Sequence, residues 1–314
     1  IGVAKAIGLA TISFSETLDR LKPDFIMVLG DRFELLAVAQ VALVSRIPIV
    51  HLGGGDVTEG AFDEAIRHSI TKMSQLHFVT NKESEKRVHQ LGEDPENIHL
   101  VGNPGLDHLN SLKLMEKNEL EKSLRYSFKS QNILVTFHSV TLDNAPAVNS
   151  FSALLEALDS LGEDIGIIFT RPNSDTEGRQ LIKMLDEYVE DRSNCIAYTS
   201  LGQLRYLSTV ALVDVVVGNS SSGILEVPSL KTATVNIGDR QKGRLRADSI
   251  IDCEPITENI KESIQQAFKL DCSTVVNPYG DGNTTERVLK VLREINHPER
   301  LIKKHFYDID FEYS

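Results

Sequence analysis

Two stretches of the chain carry side chains in patterns that chemistry needs. "HLGGGDVTEGAFDEAIRH" (residues 51–68) packs three glycines, Asp56 and Glu59 into a loop, then opens a helix with Asp63 and Arg67 one turn apart. Carboxylates gathered in one crevice suit general acid and base work. An arginine four residues after an aspartate shares its helix face and can orient the carboxylate and keep it charged. Glycines in front of such a helix let the backbone come close to a ligand. The second stretch, "VVVGNSSSGILEV" (215–227), sets Asn219, Ser220, Ser221 and Ser222 between two glycines at the start of a helix. Backbone N–H groups and hydroxyls then point at one spot, and the helix end favours an anion such as phosphate there. Glu226, one to two turns on, suits the vicinal hydroxyls of a ribose. The same serines also read as a plain helix N-cap.

Smaller signals accompany these. "GDRFE" (30–34) puts Asp31 and Arg32 directly after an apolar run; alone it reads as a salt-bridged cap by Asp31. His138 in "FHSVTLDN" follows another apolar run and could donate to a phosphate or a leaving group, although a lone histidine is more often structural. Arg240 and Arg244 in "NIGDRQKGR" read equally well as a forked phosphate grip and as two solvated charges. Neither a GxGxxG fingerprint nor a GxxxxGK[ST] loop occurs, and "GDG" at 280–282 reads as a turn before the last long helix.

The elements that position these residues alternate. Short apolar runs ("DFIMVLG", "IPIVHLGGG", "LHFVT", "NIHLVGNPGLD") alternate with helical patterns, and after a charged helical stretch at 112–128 the alternation restarts with "NILVTFHSV", "IGIIFTRPN", "NCIAYT", "VDVVVGNSSSG" and "ATVNIG", the last clear strand. Such alternation predicts parallel sheets covered on both faces, in two doubly wound α/β domains, with ligands beyond the carboxyl ends of the strands. The expected boundaries are a first domain at 1–112, a second at 113–297, and a segment at 298–314 packing back on the first domain. Asp31, Asp56 and Asp63 would then lie at the ends of adjacent strands.

The composition bounds the function. The chain has 314 residues, 41% of them hydrophobic, which is an ordinary globular composition for two domains. A net charge of -12 argues against bare nucleic acid as a partner. The three cysteines, Cys195, Cys253 and Cys272, form no CxxC pair, so they suggest neither a zinc site nor disulfides, and reduced thiols in a cytoplasm are expected. No apolar run approaches the roughly 20 residues that span a bilayer, so no membrane partner is expected. The chain opens at Ile1 without a methionine, inside what reads as a helix.

With "VLGDRFE", "GGDVTEGAFDEAIRHSITK", "VGNPGLD", "TRPNSD", "VVVGNSSSGILEV", "VNIGDRQKGR" and "YGDGN" taken together, the chain from about residue 21 to 296 resembles the hydrolysing UDP-N-acetylglucosamine 2-epimerases. These include bacterial sialic-acid pathway enzymes and the epimerase half of the animal bifunctional enzyme. The resemblance implies two Rossmann-like doubly wound domains facing across a cleft, as in glycosyltransferases of the B type. The N-terminal part of the first domain is then expected to be missing. It implies loss of UDP to give a 2-acetamidoglucal, then hydration to free N-acetylmannosamine, with no cofactor and no required metal, in a homodimer or homotetramer. Carried over by motif, UDP contacts would be Arg32, His138, Asn173, Ser220, Ser221, Glu226 and Arg240. Acid and base groups at the sugar would be Asp31 and Asp63, with Arg67 nearby.

The chain departs from the family where a catalytic Glu often stands two residues after the strand histidine; here that position is Gly53, and Asp56 or Glu59 would cover the role. Rival readings are the same reaction on a UDP-2,4-diacetamido-trideoxy sugar of legionaminic-acid type, a non-hydrolysing 2-epimerase, a glycosyltransferase of the same fold, and a non-catalytic nucleotide-sugar sensor. The "GDRFE" and "GGDVTEGAFDEAIRH" forms favour the hydrolysing branch.

Overall fold

The computed structural model describes residues 2–57, 62–139, 147–172 and 176–310. The chain divides into two compact units, Ile1–His108 with Tyr279–Ser314, and Leu109–Pro278.

Unit 1 begins with α1 (Gly2–Leu21) and continues β1 (Ile26–Leu29), α2 (Phe33–Val44), β2 (Ile49–Leu52), α3 (Phe62–Met73), β3 (Leu76–Val79), α4 (Lys82–Gln90) and β4 (Ile98–Leu100), with α5 (Asp107–Ser111) at its limit. The four strands are parallel and stand in sequence order, β1-β2-β3-β4. Stepping one way across the sheet with right-handed crossovers puts the connecting helices on one face. Alternation along β2 shows it. Ile49 packs with Leu18, Val38, Ile66 and Ile70 under α1–α3, whereas Val50 and Leu52 face the other way.

That other face is covered from the far end of the chain. Val288, Val291 and Leu292 of α12 (Thr284–Glu294) pack with Val50, Leu52 and Phe78. Asp107 fixes the start of α12, its carboxylate accepting the N–H groups of Thr284 (2.9 Å) and Thr285 (2.6 Å). The boundary expected at 297 therefore falls at 278/279, because the last long helix completes the first unit's core rather than the second's. Residues 298–310 also lie on unit 1.

Unit 2 runs α6 (Lys117–Leu124), β5 (Gln131–Thr136), α7 (Ala147–Asp159), β6 (Ile165–Thr170), α8 (Thr176–Glu190), β7 (Cys195–Tyr198), α9 (Gly202–Val210), β8 (Val215–Gly218), α10 (Ser221–Leu225), β9 (Ala233–Ile237), β10 (Ile250–Cys253) and α11 (Thr257–Ala267). Its six parallel strands are ordered β10-β9-β8-β5-β6-β7. Near-continuous burial of β5, β6, β8 and β9 matches their Val/Ile/Leu runs, as expected of a sheet covered on both faces. β10 extends the sheet past "ATVNIG". It is a half-exposed edge strand, and its short "IIDC" run gives periodicity little to work with. Strand order reverses between β5 and β8, so this sheet has a switch point where a crevice opens beyond the strand ends.

Candidate active site

In unit 1 the polar residues gather where β1, β2 and β3 end. Arg67, one turn into α3 and buried, donates from Nη2 to Asp31 Oδ2 and from Nη1 to the Asp56 carbonyl at 2.5 Å. Its side chain is 5% exposed against 27% for Asp31, so the carboxylate's free edge is what faces outward. The sequence suggested that Arg67 would hold Asp63, its helix neighbour. The carboxylate paired with it is Asp31's, from the end of β1, and Asp63 stands half-buried in the first turn of α3. Asp31 is thus not the cap of α2 either; that position is Arg32, without a side-chain cap bond.

Behind the pair lies a buried histidine. His51 on β2 sets Nε2 at 2.9 Å from the Gly30 carbonyl and Nδ1 at 3.1 Å from Thr71 Oγ1. A carbonyl can only accept, so Nε2 carries the proton. Burial, helped by the charges of His77 and Arg67 and opposed by the Gly30 hydrogen bond, leaves His51 with a pKa of about 4, well below the usual imidazole value. It is a neutral brace between the turn that presents Asp31 and the helix that presents Arg67.

Asp56 occupies a different place from the one expected. Its Oδ1 accepts from Thr80 (2.9 Å), Ser84 (2.6 Å) and Asn81 (3.3 Å). Three donors on one oxygen bind this carboxylate to the end of β3 and the start of α4 and argue against a role as a mobile base. What Asp56 offers Arg67 is its backbone carbonyl. Glu59, the other candidate for the missing family carboxylate, lies outside the described residues.

Unit 2 gathers its polar residues at the switch point. Asn219, after β8, accepts the His138 N–H at 2.8 Å and donates Nδ2 to the His138 carbonyl at 2.8 Å, tying the β5 and β8 loops together. The Asn219 carbonyl takes Arg240 Nη1 (3.0 Å) and Gln241 Nε2 (2.9 Å). His138, Asn219, Gly238 and Arg240 line one small cavity. Arg240 is pushed below the usual guanidinium value by burial and then by the charge of Arg244, so two cations neighbour one another here. Such a pair is relieved by an anion.

The serines divide their work. Ser220 is the N-cap of α10, its Oγ accepting the Ser222 N–H at 3.3 Å, and Ser222 Oγ receives the Tyr206 hydroxyl at 2.9 Å. The capping reading therefore holds for Ser220. Ser221 is the first residue of α10, and its hydroxyl has no hydrogen-bond partner among the described residues. With only five residues in α10, any anion here would rest on individual N–H and hydroxyl donors more than on a helix dipole. Glu226 follows at the C-cap. Arg32 is 78% exposed and forks onto Glu34, which places it at the surface in this structure. Asn173 lies outside the described residues.

The residues that sequence reasoning missed are the braces: His51, Thr71, Thr80, Ser84, Asn219 as a bridge, and Gln241. His51, Thr71, Asn219 and Gln241 stood inside the quoted motifs. Thr80 and Ser84 lay at an ordinary strand end and helix start with no local signal.

Parallel α/β units with polar residues beyond the carboxyl ends of their strands define the class of α/β folds whose ligands lie at those ends. Within it, the chain belongs to the UDP-N-acetylglucosamine 2-epimerase family, whose model matches residues 1–293. It is 37% identical over 312 residues to the GDP/UDP-N,N'-diacetylbacillosamine 2-epimerase (hydrolyzing) of Campylobacter jejuni, covering 98% of this chain and 81% of that protein. It is 33% identical over 304 residues to a UDP-N-acetylglucosamine 2-epimerase of Neisseria meningitidis serogroup B, covering 96% and 79%. Among solved structures, UDP-GlcNAc 2-epimerase from Neisseria meningitidis bound to UDP-GlcNAc superposes with a TM-score of 0.78 at 18% identity, covering 93% of this chain and 82% of that one. The two-domain, parallel-sheet, glycosyltransferase-B-like fold class expected from the sequence is the one shared with these structures.

Proposed function

We propose that the protein is a hydrolysing UDP-sugar 2-epimerase acting on UDP-N-acetylglucosamine, with free N-acetylmannosamine and UDP as products. The observation that carries the reading is the pairing of Asp31, beyond the end of β1, with Arg67 of α3 in a chain of this family. Asp31 and Asp63 are the acid and base groups. One takes the proton from sugar C2 as the C1–O bond to UDP breaks, which leaves a 2-acetamidoglucal. Water then supplies oxygen to C1 and a proton returns to C2 on the opposite face. Arg67 holds Asp31 charged and oriented. The β-phosphate and uridine belong to the switch-point residues of unit 2, with His138, Ser221, Glu226 and Arg240 as the contacts. Arg32, Asn173 and Glu59 remain proposed members of the site. The reaction needs no cofactor or metal ion of its own, because charge on the leaving UDP is met by cations of the protein. No described helix is long and apolar enough to cross a membrane, and a cytoplasmic homodimer or homotetramer in sialic-acid-type biosynthesis fits the reading.

A second substrate has a specific observation behind it. The relative that is 37% identical is named for a diacetylated sugar, so the same elimination on a UDP-2,4-diacetamido-trideoxy sugar is the runner-up. Incubating the protein with each UDP-sugar and following UDP and free sugar by NMR decides between them. Turnover of UDP-N-acetylglucosamine at the higher kcat/KM supports the first reading. Turnover of the diacetamido substrate alone replaces the substrate and keeps the mechanism, and an epimer still attached to UDP makes the enzyme non-hydrolysing.

A further inference from the structure

Residues 298–310 bring one ammonium to the far end of the helix that carries Asp63 and Arg67. Lys304 Nζ donates to the carbonyls of Lys72 (2.8 Å) and Ser74 (2.7 Å), at the C-terminal end of α3. Carbonyls there have no partner within the helix, and a cation beside them also meets the negative end of the helix dipole. Lys304 lies 2.6 Å from Glu93 Oε2 as well.

Glu93 already has other partners. Its carboxylate, 2% exposed, takes Lys72 Nζ at 2.6 Å and His77 Nε2 at 2.8 Å. One buried carboxylate needs one cation, and Lys72 supplies it. The second cation is surplus to the charge balance of Glu93, and two of its three N–H donors go to helix carbonyls. The segment is anchored again two and three residues after this contact. Tyr307 N–H donates to the Gly92 carbonyl at 3.0 Å, and the Phe306 ring fills the space that a β-carbon on Gly92 would need, 2.4 Å from it. Lys72 Nζ also stands over that ring at 4.8 Å.

α3 joins the two ends. It has 12 residues, about 18 Å at 1.5 Å per residue. Thr71 in its last turn meets His51, Arg67 in its middle holds Asp31, and Asp63 opens it. A regular helix is stiff over three turns, so a force that fixes its C-terminal carbonyls also fixes the axial position of the groups nearer its start. We propose that Lys304 is a positioning residue for the reaction: by capping α3 from the chain's returning end, it holds Arg67 in register with Asp31. The effect on turnover rests on the reading of Asp31 given above; the effect on the Arg67–Asp31 contact does not.

The test compares Lys304→Met with Lys72→Met in the full chain. Both remove a cation from Glu93, but only the first removes the cap. Two readouts are taken, kcat and KM for the UDP-sugar, and the guanidinium 15N–1H signals of Arg67, which exchange slowly when both nitrogens are bound. Lys304→Met is expected to lower kcat about ten- to a hundredfold, the scale of a misplacement near 1 Å, with KM and UDP affinity within twofold. Its Arg67 signals broaden or vanish. Lys72→Met keeps those signals and a kcat within about threefold, and Lys304→Arg, which preserves charge and donors, recovers most of the loss. Unchanged Arg67 signals in Lys304→Met overturn the proposal, as do equal losses in both methionine variants. If the wild-type protein turns over no UDP-sugar, the functional reading fails while the guanidinium signals still decide the positioning role.

Discussion

The three glycines at 53–55 differ in what they must accommodate, and that difference can be measured. Gly55 has φ +81°, and a β-carbon built on it lies 2.3 Å from the Ser84 carbonyl oxygen and 2.9 Å from its carbon. Both atoms are backbone in the first turn of α4, so relief requires the loop or the helix start to move by roughly 1 Å. An alanine there takes on about 1 kcal/mol of left-handed backbone strain and about 1–3 kcal/mol of overpacking, some 2–4 kcal/mol in all. Gly53 has φ +85° but meets nothing closer than 3.8 Å, so Gly53→Ala costs only the strain term, about 1 kcal/mol. Hydrogen exchange read by mass spectrometry on peptides covering residues 76–91 gives the local opening free energy for each variant. Gly55→Ala should lower it by about 1–3 kcal/mol more than Gly53→Ala. It should also cost activity, because the residue after it, Asp56, gives its carbonyl to Arg67. Equal losses in the two variants would refute the packing argument and with it the reason for a glycine beside Asp56.

Other expectations follow from the same geometry. Asp63→Asn keeps shape and removes a base; kcat should fall by about two to four decades with UDP affinity unchanged by calorimetry, and near wild-type turnover would remove Asp63 from the chemistry. Ser221→Ala should weaken UDP binding about five- to tenfold, near 1 kcal/mol for one lost hydrogen bond; an unchanged Kd would place the phosphate elsewhere. Acid should destabilise unit 1 in two stages. His51, kept neutral by burial with a pKa of about 4, resists a proton that the unfolded chain accepts near pH 6.5. Its contribution is therefore complete above that pH and is lost as pH falls from 6.5 to 4, by up to about 3 kcal/mol. At Glu93, burial alone would raise the pKa, but hydrogen bonds from His77, Lys304 and Lys72 overcome it and hold the carboxyl at about 2. That contribution is present above the ordinary carboxyl pKa and is lost as pH falls toward 2. In urea unfolding at a series of pH values, His51→Gln, which retains a donor for Gly30, should flatten the slope between pH 6.5 and 4 and leave the lower stage; an unchanged slope would contradict the assignment.

The loops where the polar residues gather were legible because a parallel α/β fold places ligand-facing loops at strand ends, and Asp31, Arg67, His138 and Asn219 all occur in motifs that follow apolar runs. Their partners were not. Arg67 was read against Asp63, four residues away, since helix spacing is local information. Its pairing with Asp31 depends on β1 and β2 lying side by side, a distance of 36 residues in sequence. Asp56 was read as a candidate for the missing family carboxylate because nothing in Thr80, Asn81 or Ser84 announces that three donors converge on it. The domain boundary failed for the same reason. α12 is amphipathic wherever it sits, and only the cap by Asp107 and the apolar contacts of Val288 and Leu292 show that it finishes the first sheet. β10 escaped notice because an edge strand of four residues, three half-exposed and one exposed, has no clear period.

The central claim, elimination of UDP followed by hydration, is tested most directly by the product formed in heavy water. The protein is incubated with UDP-N-acetylglucosamine in D2O, with a parallel reaction in 18O-labelled water, and the products are read by NMR and mass spectrometry. The account predicts a free hexosamine of manno configuration with deuterium at C2 and solvent oxygen at C1, and UDP without solvent oxygen. Release of N-acetylglucosamine without deuterium at C2 would mean simple hydrolysis and would contradict the account.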